Sequence, residues 1–253
     1  MSLLATTVFF TAFLIFSMVY IPVGILITLL LALPAALTPV GHYRVGLRLT
    51  RWFIRWYGII VVRLAYPSVR FRLGNRCDLP FGTPCIFISN HQSIADIFLL
   101  AYLPMKEFVF LSNQWPFKIP VLGFFAGLAG FLNLQASRPD EIFERVKQLV
   151  SDKVSIISFP EGTRTRTGKL GSFHTTVFRI AQQNRVPIVP VCIEGNFRAF
   201  APNQVMIRPG RVQMNVLPAI YPASFDNLSN YQLKQRVHDI IARELTAMEG
   251  AAA

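Results

Sequence analysis

The chain has 253 residues, of which 53% are hydrophobic, and its 25 Lys and Arg outnumber 13 Asp and Glu for a formal net charge of +12. That length holds one catalytic domain with a sizeable core plus an appendage, and a mean hydropathy of +0.44 is high for a soluble enzyme. The three cysteines Cys77, Cys85 and Cys192 lack CxxC spacing and are odd in number, which argues against a disulfide framework or a zinc site and for buried free thiols in a reducing compartment.

The basic excess points to an anionic partner, namely a membrane, a nucleic acid or a phosphorylated substrate. The segment before Arg44 selects the membrane, because it contains no Asp, Glu, Lys or Arg. Its apolar run from Leu3 to Val40 exceeds the roughly 20 residues that span a bilayer as a helix. It lacks a basic n-region and is too long for the h-region of a secretory signal. Pro22, Gly24 and Pro34 interrupt it, so a bent helix and a hairpin dipping into one leaflet fit equally well. Arg44, Arg48, Arg51, Arg55 and Arg63 follow, and the positive-inside rule then puts everything after Val40 on the cytoplasmic side.

Residues 41–66 read as a second helix. Arg44, Arg48, Arg51 and Arg55 share one face, with Val45, Leu49, Trp52, Trp56 and Ile60 as a neighbouring apolar stripe. Such a helix is expected to lie in the headgroup layer with its arginines toward anionic lipid. Residues 1–66 therefore form the expected two-helix membrane-binding module, and 67–253 the catalytic domain. Pro67 ends the second helix.

From there the pattern alternates. Strands are expected at 69–73, 85–89, 108–111, 131–134, 155–159, 188–193 and 212–217, the last closing the sheet. Helices are expected at 94–102, 119–129 (broken by glycines), 139–150, 175–184 and 231–247, with a frayed tail after Met248. The fold class is α/β, a mixed sheet flanked by helices.

Two motifs carry chemistry. Asn90-His91-Gln92-Ser93-Ile94-Ala95-Asp96 follows an apolar strand and precedes a helical pattern. His91 would sit at the C-terminal end of that strand, where α/β sheets place ligands. If His91 lies in the loop and Asp96 in the first helical turns, Asp96 can fix the tautomer and stabilise the imidazolium. The second ring nitrogen can then take a proton from an attacking hydroxyl. Asn90 or Ser93 could cap the helix. The second motif is Phe159-Pro160-Glu161-Gly162-Thr163-Arg164, followed by Arg166 and Lys169. This cationic, glycine-containing loop suits a phosphate or similar anion. Glu161 is expected to be ionised and to orient an arginine or a substrate hydroxyl. A third stretch, Val186 to Val191 with Pro187 and Pro190, reads as a structural strand.

The order of these stretches resembles the glycerolipid acyltransferase family, whose best-known members are the bacterial 1-acylglycerol-3-phosphate acyltransferases. The likeness runs from about Arg70 to Gly195. It implies a catalytic His91 with Asp96, acceptor binding by Glu161, Gly162, Thr163 and Arg164, and an acyl-CoA or acyl-carrier-protein donor as co-substrate with no cofactor and no metal. It also implies a lysolipid acceptor at the inner (cytoplasmic) membrane. The sequence departs from the pattern twice. Gln135 and Ala136 stand where the family has an acid and an arginine associated with the acceptor's phosphate, and His174 stands where it often has lysine. Arg138, two residues beyond Ala136, is a candidate substitute, and Arg138, Arg166 and Lys169 are candidate additional anion contacts. The departures keep an acceptor other than 1-acylglycerol-3-phosphate, such as a lysophospholipid or lyso-aminolipid, as the alternative.

Direct transfer without an acyl-enzyme is expected, because no Gly-x-Ser-x-Gly elbow surrounds Ser93. Apolar residues along 108–131 are candidates for an acyl groove or for ordinary core. His42, His174 and His238 show no metal-ligand spacing. A non-enzymatic membrane-binding role is disfavoured by the intact His91, Asp96, Glu161 and Arg164. The arginine excess adjoins the apolar segment and no nucleic-acid motif is present, so no nucleic-acid partner is expected.

Overall fold

The computed structural model describes residues 2–32, 39–202 and 204–252. Two long helices come first, α1 (Ser2–Ala32) and α2 (Pro39–Leu64). α1 runs unbroken through Pro22 and Gly24, whereas the expected interruption at Pro34 lies outside the described residues. The two helices pack together. A Cβ on Gly24 would lie 3.2 Å from the Phe53 ring, Tyr20 donates to the Phe53 carbonyl at 3.0 Å, and the Ser17 and Tyr57 hydroxyls bond at 2.8 Å. Within α1, Leu3–Leu31 is long and apolar enough to cross a bilayer, and only 6% of it is buried.

α2 docks in a way its sequence pattern did not suggest. Arg51 is 4% exposed and donates to the Ala129 carbonyl at 2.9 Å and to Glu107 at 3.1 Å. Arg48 pairs with Glu107 at 3.2 Å, and Arg55 donates to the Met105 and Leu103 carbonyls. The expected lipid-facing arginine face is therefore the face that clasps the domain. Trp52 and Trp56 are the large apolar side chains of α2 left exposed, beside the outer arginines Arg44 and Arg48. Helical spacing groups residues on a face, but which face meets protein depends on the acceptors across the contact, here Glu107 and three loop carbonyls.

The sheet has seven strands: β1 (Val69–Asn75), β2 (Ile86–Ser89), β3 (Glu107–Ser112), β4 (Leu132–Asn133), β5 (Val154–Ser158), β6 (Ile188–Glu194) and β7 (Gly210–Val216). Their order is β1-β7-β6-β2-β5-β3-β4. β6, β2, β5, β3 and β4 are mutually parallel. β7 runs antiparallel to β6 and parallel to β1. The expected mixed sheet is present, with one correction: β7 lies inside the sheet and β1 is the edge, because Val69–Asn75 pairs along its whole length with Gly210–Val216.

The helices between strands are α3 (Asp96–Leu99, with a 3-10 turn Leu100–Tyr102), α4 (Trp115–Lys118), α5 (Pro120–Leu128), α6 (Pro139–Ser151), α7 (Thr176–Asn184) and α8 (Asn196–Ala199), and α9 (Asn230–Ala252) follows β7. The expected helix over 94–102 is thus shorter, and the one over 119–129 is a single turn-flanked helix not broken at Gly123 or Gly127. The expected strand over 131–134 shrinks to two residues. α9 is helical past Met248, because Met248 is buried against the core and holds the last turns.

β2, β5 and the middle of β6 are buried on both faces, which their near-continuous apolar runs encode. α6, α7 and α9 cover one face; α6 places Ile142, Val146 and Leu149 there at i, i+4 and i+7. α2, with α3, covers the other. Each fully buried side chain of this size contributes about 1.5–3 kcal/mol. The parallel strands end together, so the loops after β2, β3, β5 and β6 meet at one edge of the sheet.

Candidate active site

His91 follows the C-terminal end of β2. Its Nδ1 lies 2.8 Å from Asp96 Oδ2, and Asp96 is fully buried at the start of α3. That oxygen also accepts the N–H of Gln92 at 2.6 Å and of Ser93 at 2.8 Å, while Oδ1 accepts the Asn196 amide at 2.6 Å. The carboxylate closes the loop, and the Ser93 hydroxyl accepts the Ala95 N–H at 3.2 Å just before α3, whereas Asn90 does not cap the helix. Asn90 instead bonds both backbone groups of Ile193 at 2.8 Å, extending the β2–β6 pairing. Ser93 is buried and donates to the Phe200 carbonyl at 2.6 Å, so its hydroxyl is a structural tie rather than an available nucleophile.

With Nδ1 engaged by Asp96, Nε2 is the nitrogen able to accept a proton. The imidazole stacks on Phe159 with ring centroids 4.0 Å apart, and it lines a cavity of about 1280 Å3. The stack and the carboxylate together fix its plane.

The loop after β5 holds His91 by its backbone. Glu161 Oε1 accepts the His91 N–H at 2.8 Å, and the Thr165 N–H donates to the His91 carbonyl at 2.9 Å. Glu161 Oε2 accepts the Gly171 N–H at 2.8 Å. Glu161 is thus turned inward and does not orient an arginine, because two amides from opposite sides claim its oxygens. Its two oxygens position the His91 and Gly171 backbones. Burial pushes its carboxyl above the ordinary 4.5, against the pull of the His91 and Gly171 amides.

A raised folded pKa makes the Glu161 contribution to stability largest below the ordinary carboxylate value and smaller as pH rises through the folded value. Glu161→Gln removes this titration. It also leaves one buried N–H facing an amide NH2, at a cost of about 1–3 kcal/mol. The variant is expected to have a lower Tm, with the gap to the unmodified chain narrowing as pH rises from about 4 to about 7. Thermal unfolding of both proteins across that range checks it, and a gap that widens with pH contradicts it.

Gly162, Thr163 and Arg164 line the cavity with His91. Gly162 has φ 70°, and a Cβ there would meet the His174 ring at 3.2 Å. Arg164 lies over the Trp115 ring at 6.0 Å. The other expected anion contacts are not gathered here. Arg138 is exposed and pairs with Glu141 at 2.8 Å, because it precedes the N-terminus of α6 where Glu141 reaches back. Arg166 and Lys169 also lie outside the lining. In their place the structure brings His174 and Arg179 to the cavity, the latter over the Phe143 ring at 5.0 Å.

Asn196 and Gln92 gave no local signal. Gln92 accepts the Phe197 N–H, and Asn196 starts α8 directly after Gly195. Gly195 has φ 88° and leaves 2.2 Å between a built Cβ and the Arg211 carbonyl, so only glycine fits the turn that aims Asn196 at Asp96. Among the described residues no cluster of His, Cys, Asp and Glu is arranged to hold a metal.

The comparisons with known proteins agree on one family. Residues 70–194 match the family model described as Acyltransferase. A chloroplastic 1-acyl-sn-glycerol-3-phosphate acyltransferase of Brassica napus is 32% identical over 64% of this chain and 48% of its own. A human 1-acyl-sn-glycerol-3-phosphate acyltransferase beta is 30% identical over 67% of this chain and 60% of its own. The chain spans roughly half to three fifths of such relatives. The crystal structure of the 1-acyl-sn-glycerophosphate acyltransferase PlsC from Thermotoga maritima superposes with a TM-score of 0.74 over 98% of this chain and 96% of that one, at 24% identity, and so shares the fold.

Proposed function

We propose, on the match of residues 70–194 to the Acyltransferase family model, that the chain moves a fatty acyl group from a thioester to the free hydroxyl of 1-acylglycerol-3-phosphate, with His91 as general base. The observation that carries this is an imidazole oriented by a buried carboxylate at the wall of a large, mostly apolar cavity that also holds Arg164. Residues 1–66 act as the membrane module and 67–253 as the catalytic domain, working on the cytoplasmic side of an inner membrane.

His91 Nε2 takes the acceptor's proton as its oxygen attacks the thioester carbonyl. Asp96 stabilises the imidazolium that forms. The turn at Gly162–Arg164 supplies donors to the developing oxyanion. The C–S bond breaks, and the departing thiolate takes the proton back from the imidazolium, so nothing stays on the enzyme. Acyl-CoA or acyl-carrier protein supplies the thioester. Arg164, with Arg179 and His174, faces the acceptor's phosphate in place of the arginine that Ala136 replaces.

The missing arginine at Ala136 favours a second reading, another lysolipid as acceptor. Presenting acyl-CoA and acyl-carrier protein with a panel of lysolipids separates them. Product from 1-acylglycerol-3-phosphate alone supports the first reading, and product only from other lysolipids replaces it. No product with any acceptor would end both. Arg164→Met is expected to raise KM for the phosphate-bearing acceptor about 10- to 150-fold, the worth of a charged hydrogen bond of about 1.5–3 kcal/mol. KM for uncharged monoacylglycerol should stay unchanged, and an equal rise for both acceptors would remove the phosphate role.

A further inference from the structure

Arg166 and Lys169 stand outside the cavity, and the fold gives them other company. A Cβ on Gly168 would lie 3.1 Å from the Phe197 ring, so the loop that carries both cations rests on α8. The next residue of α8, Arg198, pairs with Glu194 at 2.5 Å. At the start of α8 the Arg211 carbonyl abuts Gly195. β7 pairs with β1 so that Arg211 stands opposite Arg70, with Arg72 two residues on. All six cations are exposed. The band they form runs from the loop that holds His91, across α8, to the outer strand of the sheet.

Local structure does not account for this charge. Arg70 and Arg211 share one face of the sheet, and like charges opposite one another are destabilising. Among the described residues neither pairs with a carboxylate, and nor do Arg72, Arg166 and Lys169. Cations on an edge strand block edge-to-edge pairing, which covers Arg70 and Arg72. It does not cover Arg211, which lies inside the sheet, or the two loop cations. A band of one sign beside a catalytic loop raises the local concentration of a partner of the opposite sign. The bilayer does not fit as that partner. Side chains of a strand alternate between faces. Val69, Phe71 and Val212 pack with Phe9 and Val61 on the side of α1 and α2, so Arg70, Arg72 and Arg211 point to the other side. Arg76, on their side of β1, reaches Glu244 of α9. The phosphates of one nucleotide are too compact, because the band crosses a loop, a helix and two strands.

We propose that this band docks the acidic face of an acyl-carrier protein, so that the donor is a protein-borne thioester. The inference rests on the acyl-transfer reading and selects between its two donors. From β2, which carries His91 at its end, to β1 is three strand intervals at about 4.8 Å each, roughly 14 Å. An extended phosphopantetheine arm covers that distance, so a carrier seated on the band can deliver its thioester past α8 to His91. Carboxylates of the carrier match the fork of each guanidinium. Charges of this exposed kind govern encounter and its salt dependence.

The test combines Arg70→Gln, Arg72→Gln and Arg211→Gln in the full chain and measures turnover with acyl-carrier protein and with acyl-CoA. At low salt KM for acyl-carrier protein is expected to rise about 10- to 100-fold, with KM for acyl-CoA unchanged. The rise should shrink at high salt, where exposed charges are screened. An equal rise for both donors points to a nucleotide-phosphate site and overturns the proposal. So does an unchanged KM for acyl-carrier protein beside weakened binding to anionic phospholipid vesicles, which would assign the band to the membrane. An unmodified chain that uses acyl-CoA and not acyl-carrier protein overturns the docking and leaves acyl transfer intact. No turnover with either donor and any lysolipid removes the acyl-transfer reading itself. If the triple variant does not fold, the unmodified chain decides the matter. Carrier protein without an acyl group should then inhibit acyl-CoA turnover at low salt and lose that effect at high salt, and no inhibition at low salt refutes docking.

Discussion

His91→Ala is expected to lower turnover by about 10²–10⁴-fold with the fold intact. The fold should survive because the imidazole is not the only group that satisfies Asp96. The Gln92 and Ser93 amides and the Asn196 side chain still donate to it after the ring is gone. What disappears is the imidazole that Asp96 holds at the cavity wall. Asp96→Asn is the sharper companion. An asparagine oxygen can keep the bonds to Gln92, Ser93 and Nδ1 of His91, and Asn196 can turn its amide over to accept from the new NH2. Geometry and tautomer persist while the negative charge is lost. Turnover should then fall about 10- to 150-fold, the worth of a charge-assisted bond of about 1.5–3 kcal/mol. KM for the acceptor should barely move, since neither group holds the substrate's headgroup. Steady-state kinetics with circular dichroism on each purified variant makes the measurement. A folded His91→Ala protein turning over at the unmodified rate would remove the general base from the mechanism.

Arg51→Met is expected to be the most destabilising single change in the N-terminal module. Arg51 is buried, and its guanidinium satisfies the Ala129 carbonyl and one oxygen of Glu107. Methionine restores the apolar stem but leaves that carbonyl without its donor and Glu107 with Arg48 alone. Breaking a buried pair by removing one partner costs about 3–5 kcal/mol. Glu107 is 22% exposed, which places the loss near about 3 kcal/mol. For a chain of this size that lowers Tm by roughly 6–12 °C. Arg63→Met is the control, because Arg63 is exposed at the end of α2 and should change stability by less than about 0.5 kcal/mol. Thermal unfolding in detergent compares the two. Equal Tm values would mean that the arginine face does not hold the domain, and that the headgroup orientation read from helical spacing is the better one.

Much of the fold was legible because its determinants are local. The uncharged run before Arg44, the buried β2, β5 and β6 and the 3.6-residue periods of α6 and α7 all follow from which side chains can be left in water. The same locality explains the failures. A two-residue β4, the burial of Met248 and the place of β7 inside the sheet depend on partners far along the chain. The site divides in the same way. His91, Asp96 and Arg164 were found because their spacing from strand ends carries chemistry. Glu161 was found, but its charge suggested an arginine partner where its burial delivers it to two backbone amides. Gln92 lay within the first motif and His174 was noted as a departure from the family pattern, but neither was given a role; Asn196 and Arg179 stand in no recognisable pattern and enter the site through the turn at Gly195 and along α7.

By itself the sequence determined that an apolar N-terminal segment precedes an α/β domain with an imidazole–carboxylate pair after one strand and a cationic turn after another. Those are one-dimensional facts, set by hydrophobic period and by residue type at strand ends. Only the tertiary structure decided that both backbone groups of His91 are held by the second loop, that the arginines of α2 grip the domain, and that α5 faces α1 across one cavity. Each of those is a pairing between segments tens of residues apart, and a hydrogen bond or an apolar contact is specified by distance in space, which no spacing along the chain encodes.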